Sequence, residues 1–442
     1  MVPKAIRVTI TIATCVIASF GALRADTVRR PNVILISIDT LRADHLGCYG
    51  YPRGTSPTID AFRREAVLFR TVIASAPSTL VSHASIFTSL APQHHGATHA
   101  KSIPLSPKFV TLAEVMRDGG YRTAAYVAGG QLAPEFGLNQ GFESYTTVDE
   151  DTFDGIVAHS TPFLEQSKGT PFFLFLHTYE THHPYTPAPE DLKRFEPSPI
   201  SSLPPSINIE LLTEINFGRK RINDADRAHI VNDYDAEIYS MDRGFRRLIT
   251  VLKRLGLYDN SMIVFTSDHG EEFGEHGMMG WHSHTLYDEL LRIPLIVRFP
   301  SGMHAGKEVS GMVRGVDIAP IILTTTGVPH PPQFDQFSLA TALRRHQVPA
   351  SAVLLMMESP GPPTDANTGL RTKDWKLVGK KLFDLRKDPR ELNDIAVKQA
   401  TVSGGLTVQF YALLRQRPQP NTQSVVPDQE TIEMLKSLGY IQ

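Results

Sequence analysis

The chain has 442 residues, 41% hydrophobic and 20% charged, a balance that excludes a disordered or fibrous protein and allows one large α/β domain with a smaller appendage. Lys and Arg total 44 against 46 Asp and Glu, so no net field favours nucleic acid or an acidic membrane surface as partner. Cys15 and Cys48 are the two cysteines, too few for a disulfide framework once an N-terminal leader is removed.

Lys4 and Arg7 precede an apolar stretch from Val8 to Leu23, with Ala22 and Ala25 as small residues for cleavage. That pattern predicts a secretory signal over residues 1–25 and an exported protein, periplasmic or extracellular. The alternative is an uncleaved anchor, but the stretch is short for a span and no later one approaches spanning length. Asn32 to Ile38 (NVILISI) is a continuous β-branched apolar run, the signature of a strand buried on both faces of a parallel sheet. Phe172 to Leu176, Met262 to Thr266 and, more weakly, Leu295 to Phe299 have the same character. Helical patterns lie between them at Thr58–Glu65, Ser82–Leu90, Thr111–Arg117 and Asp224–Leu255, the last stopped by Gly256. Alternating strands and helices predict an α/β domain around a central, mostly parallel sheet. Glu196 to Asn223 reads as a surface excursion, and Pro-rich Val328–Pro332 closes the main domain. Strand-like pieces near Ala352–Met357 and Trp375–Val378 and a helix around Glu430–Leu438 predict a small C-terminal subdomain.

Three of the apolar strands run into the same kind of chemistry. The first ends in Asp39, the second in His177 followed by Glu180, His182 and His183, the third in Asp268-His269. Ligands bind beyond the carboxyl ends of such strands, so these residues are expected to meet. Two carboxylates, an imidazole and a hydroxyl suit one divalent metal ion, with zinc or manganese ahead of calcium. Taken singly, Asp39 also reads as a turn cap, and Asp268-His269-Gly270 as a polar turn.

ISIDTLRADHLGCYGY (36–51), SDHGEEFGEHG (267–277), HSHTLYDELLRIPLIV (282–297), LFDLRKDPRELNDIA (382–396) and the ending LKSLGYIQ together resemble sulfatase-like hydrolases of the alkaline phosphatase superfamily. The resemblance implies a three-layer alkaline-phosphatase-like sandwich over 31–332 and a small α+β subdomain over 345–442. In that family the nucleophile lies in C-x-P-S-R or S-x-P-S-R at a helix start, matched here by Thr79-Leu80-Val81-Ser82-His83. Threonine cannot become the formylglycine of sulfatases, and His83 replaces the motif arginine. The set Asp39, Thr79, Asp268 and His269 instead resembles relatives in which a metal-bound threonine attacks a phosphoryl group. By the same resemblance His182 and His284, with His282 second to it, would hold ester oxygens or protonate the leaving group. His95 and Cys48 read as structural, and Thr79 as a plain N-cap is the competing reading. The implied activity is hydrolysis of a small-molecule or glycan sulfate or phosphate ester. The alternatives are a phosphodiesterase, a transferase of phosphoryl head groups in the cell envelope, or a degenerate metal-binding relative without turnover.

Overall fold

In the computed structural model the described residues are 30–149, 152–195, 201–335, 337–346, 348, 351–357, 367–416 and 423–440; the predicted signal lies outside them. Pro31–Gln442 forms one compact unit.

The strand runs read from sequence sit at the centre of the main sheet. β1 (Asn32–Ile38), β2 (Val67–Ile73), β3 (Arg122–Val127), β4 (Ser144–Thr147), β5 (Phe172–Thr178) and β6 (Ser261–Thr266) are joined later by β9 (Arg292–Ile293), β10 (Leu295–Arg298) and β11 (Glu308–Arg314); β7 (Glu272–Phe273) and β8 (Met279–Trp281) form a separate hairpin. Among the described residues the sheet has nine strands in the order β11-β2-β10-β6-β1-β5-β3-β4, with β9 on β2. It is mostly parallel; β10 runs against both neighbours and β9 against β2.

Burial on both faces explains the lack of alternation in these strands. Val33, Leu35, Phe173 and Phe175 point into one apolar core, and Ile34, Ile36, Leu174 and Leu176 into the other, so every position selects an apolar side chain. Helix α1 (Thr79–Thr88) and helix α4 (Ile318–Thr326) cover the first face. Helices α2 (Phe153–Gln166) and α3 (Asp224–Arg254) cover the second. The result is the predicted three-layer sandwich. Helix α3 starts at an Asn223–Asp226 capping box and gives way to Gly256 at φ 67°, as its sequence signals ask. The excursion 196–223 is not all loop: Ile209–Asn216 is a helix. No helix among the described residues is long and apolar enough to cross a membrane.

Beyond the main sheet, β12 (Ala352–Met356), β13 (Thr368–Thr372), β14 (Trp375–Val378) and β15 (Lys381–Asp384) form an antiparallel meander, packed by Leu406 and Phe410 of helix α5 (Ala400–Leu414). Helix α6 (Gln429–Ser437) leaves this meander, because Leu435 belongs to the main core. The meander is fixed to the main body by a buried charge cluster. Lys376, fully buried, donates to the Leu286 carbonyl at 2.8 Å and lies 2.8 Å from Glu391. Asp288 pairs with both Lys376 and Arg371. Removing one partner of such a cluster strands the other charges. Lys376→Met is therefore expected to lower stability by about 3 kcal/mol, read as the shift in a urea unfolding midpoint; an unchanged midpoint contradicts the anchoring role.

Candidate active site

Because β1 lies between β5 and β6, with Ser37 in register with both His177 and Thr266, the three polar strand ends converge. Asp39, Thr79, Asp268 and His269 are all fully buried. Thr79 is the first residue of α1, after Ser78 at the N-cap, so its hydroxyl is not spent on capping. That hydroxyl donates to Asp39 Oδ2 at 3.0 Å and lies 3.4 Å from His269 Nε2. His269 Nε2 is 3.4 Å from Asp268 Oδ2 and 3.9 Å from Asp39 Oδ1.

This group is a candidate cation site. One ligand atom each from Asp39, Asp268 and His269 fall within 4.8 Å of one another, while Asp39 Oδ1 and Asp268 Oδ2 have no hydrogen-bond partner among the described residues. Burial pushes Asp39 up to about 6, against the pull of His269 and Thr79. Asp268 is raised by burial and then by Asp39. Burial opposes charge on His269, but Asp268 and Asp39 outweigh it and hold it above its usual range. Two orphaned carboxylate oxygens beside one imidazole form a donor set that fits a divalent ion.

Three residues around Asp39 and Thr79 have structural roles. Thr40, at φ 53°, donates to the Thr181 carbonyl at 2.7 Å, and Thr181 donates back to the Asp39 carbonyl. This reciprocal pair clamps the Asp39 peptide to the loop that carries His182. His83 is within hydrogen-bond reach of the Thr79 carbonyl at 2.8 Å through Nδ1 and of Ser37 Oγ at 2.9 Å through Nε2. It ties α1 to β1, and burial drives it down to about 4. Gln131 accepts from Leu80 N at 2.9 Å and so satisfies an orphan donor of α1.

A second group of imidazoles lies beside the first. His182, His183 and His282 are buried and bring ring nitrogens within 4.8 Å of one another. The His282 ring lies 4.7 Å from that of His269 and 4.8 Å from that of His182. Glu271 stands behind them, 2.9 Å from His282 Nδ1 and accepting from Tyr185 at 3.1 Å. Burial would raise its carboxyl, yet His282 and His183 hold it well below the usual range. Burial, with His183 and His282 alongside, keeps His182 well below the ordinary imidazole value.

His284 is not among these imidazoles: it pairs with the buried Glu272 at 2.8 Å and lines a cavity of about 700 Å³ with Leu286, Tyr287, Met357 and Phe383. His282 is the one packed against His182 and His269, and Ser283 at φ 65° turns the chain between the two histidines. We expect His282→Ala to cut turnover about 100-fold. His284→Ala should leave kcat within about threefold, below the effect of a proton-transfer group, while lowering the melting temperature by stranding Glu272. Equal kinetic losses in both variants would contradict this assignment.

His95 is structural, with Nε2 3.0 Å from Ser85 and Nδ1 accepting from Ala97 N. Sequence reasoning missed Tyr440, whose hydroxyl is 3.1 Å from Thr79 Oγ1 and 3.1 Å from His182 Nε2. His177, expected there as the polar end of its strand, lies 3.4 Å from Asp39 Oδ2. For Tyr440 there was no signal beyond the ending that resembles the family's.

A family model described as Sulfatase matches residues 31–328, and one described as N-sulphoglucosamine sulphohydrolase, C-terminal, matches 274–415. An N-acetylglucosamine-6-O-sulfatase of Bacteroides thetaiotaomicron is 24% identical over 87% of this chain and 86% of its own. An ulvan-active sulfatase of Formosa agariphila is 23% identical over 90% and 83%. Among solved structures, the phosphonate monoester hydrolase of Agrobacterium radiobacter superposes with a TM-score of 0.71 at 22% identity, covering 90% of this chain and 97% of that one. That likeness is one of fold.

Proposed function

The chain belongs to the sulfatase family of sulfuric ester hydrolases, and from there we propose that it cleaves a sulfate or phosphate ester through Thr79 as a metal-activated nucleophile. The observation that carries this reading is the buried Thr79 hydroxyl, 3.0 Å from Asp39 and 3.4 Å from His269 at the start of a helix. Asp39, Asp268, His269 and the Thr79 hydroxyl would hold one divalent ion, zinc or manganese ahead of calcium; bound there, it lowers the proton affinity of the hydroxyl and offsets charge on the ester oxygens.

The protein's own groups supply the rest. Asp39 orients the hydroxyl for attack. The positive end of α1 favours the anionic ester. His182 and His282, in the neighbouring imidazole group, hold its oxygens and serve the leaving alcohol. Threonine weighs toward a phosphoryl centre, since a formylglycine adduct expels sulfate by elimination and a sulfated threonine must be attacked again at sulfur. The curated relatives weigh toward a glycan sulfate. Residues 1–25 would direct export.

Metal-reconstituted protein assayed on p-nitrophenyl sulfate, phosphate and phosphodiester substrates tests the proposal, with peptide mass spectrometry of the quenched reaction. Turnover of one ester with a covalent adduct on the Thr79 peptide is the expected result. Turnover of none, with zinc, manganese or calcium, favours the transferase or the degenerate relative.

A further inference from the structure

Tyr440 stands at the reacting atom, yet the proposed reaction gives it no part. It is delivered from the far end of the chain by helix α6, which is anchored through Leu435 in the main core. Tyr440 N donates to the Leu435 carbonyl at 2.9 Å, and the Leu438 carbonyl lies 3.2 Å from His183 Nε2. The Tyr440 hydroxyl is thereby held 3.1 Å from Thr79 Oγ1 and 3.1 Å from His182 Nε2.

Hydrogen-bond roles follow from which groups can donate. His182 Nδ1 lies against the His183 carbonyl, which only accepts, so Nδ1 carries the hydrogen. A neutral His182 then presents a lone pair at Nε2. Tyr440 must donate its single proton there, and toward Thr79 its oxygen can only accept. The one proton of Thr79 thus has two acceptors, Asp39 Oδ2 at 3.0 Å and the Tyr440 oxygen at 3.1 Å. The Tyr440 branch continues to a base, His182 Nε2, and so forms the line Thr79–Tyr440–His182.

Resting on Thr79 as nucleophile, the geometry points to Tyr440 as a catalytic residue that passes the Thr79 proton to His182. The Thr79 Oγ1–H bond breaks as Oγ1 bonds to the sulfur or phosphorus of the ester. That proton moves to the Tyr440 oxygen while the Tyr440 proton moves to His182 Nε2. The ester bond to the alcohol breaks, and the alcohol oxygen takes the proton from His182.

Tyr440→Phe keeps the ring and removes the relay. It is expected to lower kcat about 100-fold with KM within about threefold, to change the solvent isotope effect, and to leave the thermal melt in place. In a double-mutant cycle with His182→Ala the losses should be strongly non-additive, since both serve one proton path. Peptide mass spectrometry should show slower build-up of the Thr79 adduct in the Phe variant. Unchanged kcat, or simple additivity with His182→Ala, overturns the relay. If Thr79→Ala keeps turnover and no adduct forms on wild type, the nucleophile assignment fails and takes the relay with it; loss of Thr79→Ala activity beside an unimpaired Phe variant overturns the relay alone.

Discussion

Thr79→Ala is expected to remove turnover, by a factor on the order of 10⁴ or more, while the protein still takes up a divalent metal. The substitution deletes one fully buried hydroxyl and one methyl group. Alanine is a good residue at the first helical position, so α1 persists. Asp39, Asp268 and His269 remain to hold the ion. What disappears is the atom that lies within 3.4 Å of both Asp39 and His269 and that would bond to the ester. Thr79→Ser restores a hydroxyl and should recover much of the rate, which separates chemistry from packing. The measurements are kcat on the preferred ester and metal content by mass spectrometry for wild type and both variants. Full activity in the alanine variant sinks the nucleophile assignment; loss of metal together with activity assigns Thr79 a ligand role only.

Asp268→Asn is expected to move stability in opposite directions with and without metal. In the metal-free protein, Asp268 and Asp39 are carboxylates sharing a buried space, each raised by burial and Asp268 further by its neighbour. An amide removes that repulsion, so the metal-free variant should melt no lower than wild type, and plausible gains are about 1 kcal/mol. Its affinity for the ion should fall at least about 100-fold, because a charged ligand has gone. The metal-induced rise in melting temperature then shrinks, since stabilisation follows the logarithm of ion concentration over Kd. Thermal melts with and without added zinc or manganese decide the matter. If the role of Asp268 were a static ion pair with His269, 3.4 Å away, the metal-free variant would instead be destabilised.

The central strands were legible because burial on both faces leaves a compositional trace, and their polar ends stood out against it. Where that trace is weak, the reading failed. β2 carries Arg70 and Thr71 in its middle, tolerated because Arg70 pairs with Glu308 on β11. β3 is short and built on Ala124 and Ala125. Helix α5 contains Gly404 and Gly405, poor helix formers that packing of Leu406 and Phe410 overrides. In the site, Asp39 and Asp268-His269 announced themselves by position. The sequence puts His284 ahead of His282, since the turn at Ser283 is a backbone property with no residue-level signature. Tyr440 meets Thr79 across most of the chain, and no local pattern encodes such a contact.

The central place of β1 also bears on how the chain reaches this state. Synthesis delivers Asn32–Ile38 early, but its two partners, Phe172–Thr178 and Ser261–Thr266, emerge far later. Until then a strand of almost unbroken Val, Ile and Leu has both edges unsatisfied, the condition under which chains pair with one another instead of with themselves. Pairing across such separations is slow. Asp39 is thus the tail of the same strand that makes the nascent protein prone to aggregate, so the yield should depend on chaperone capacity more than the final stability suggests.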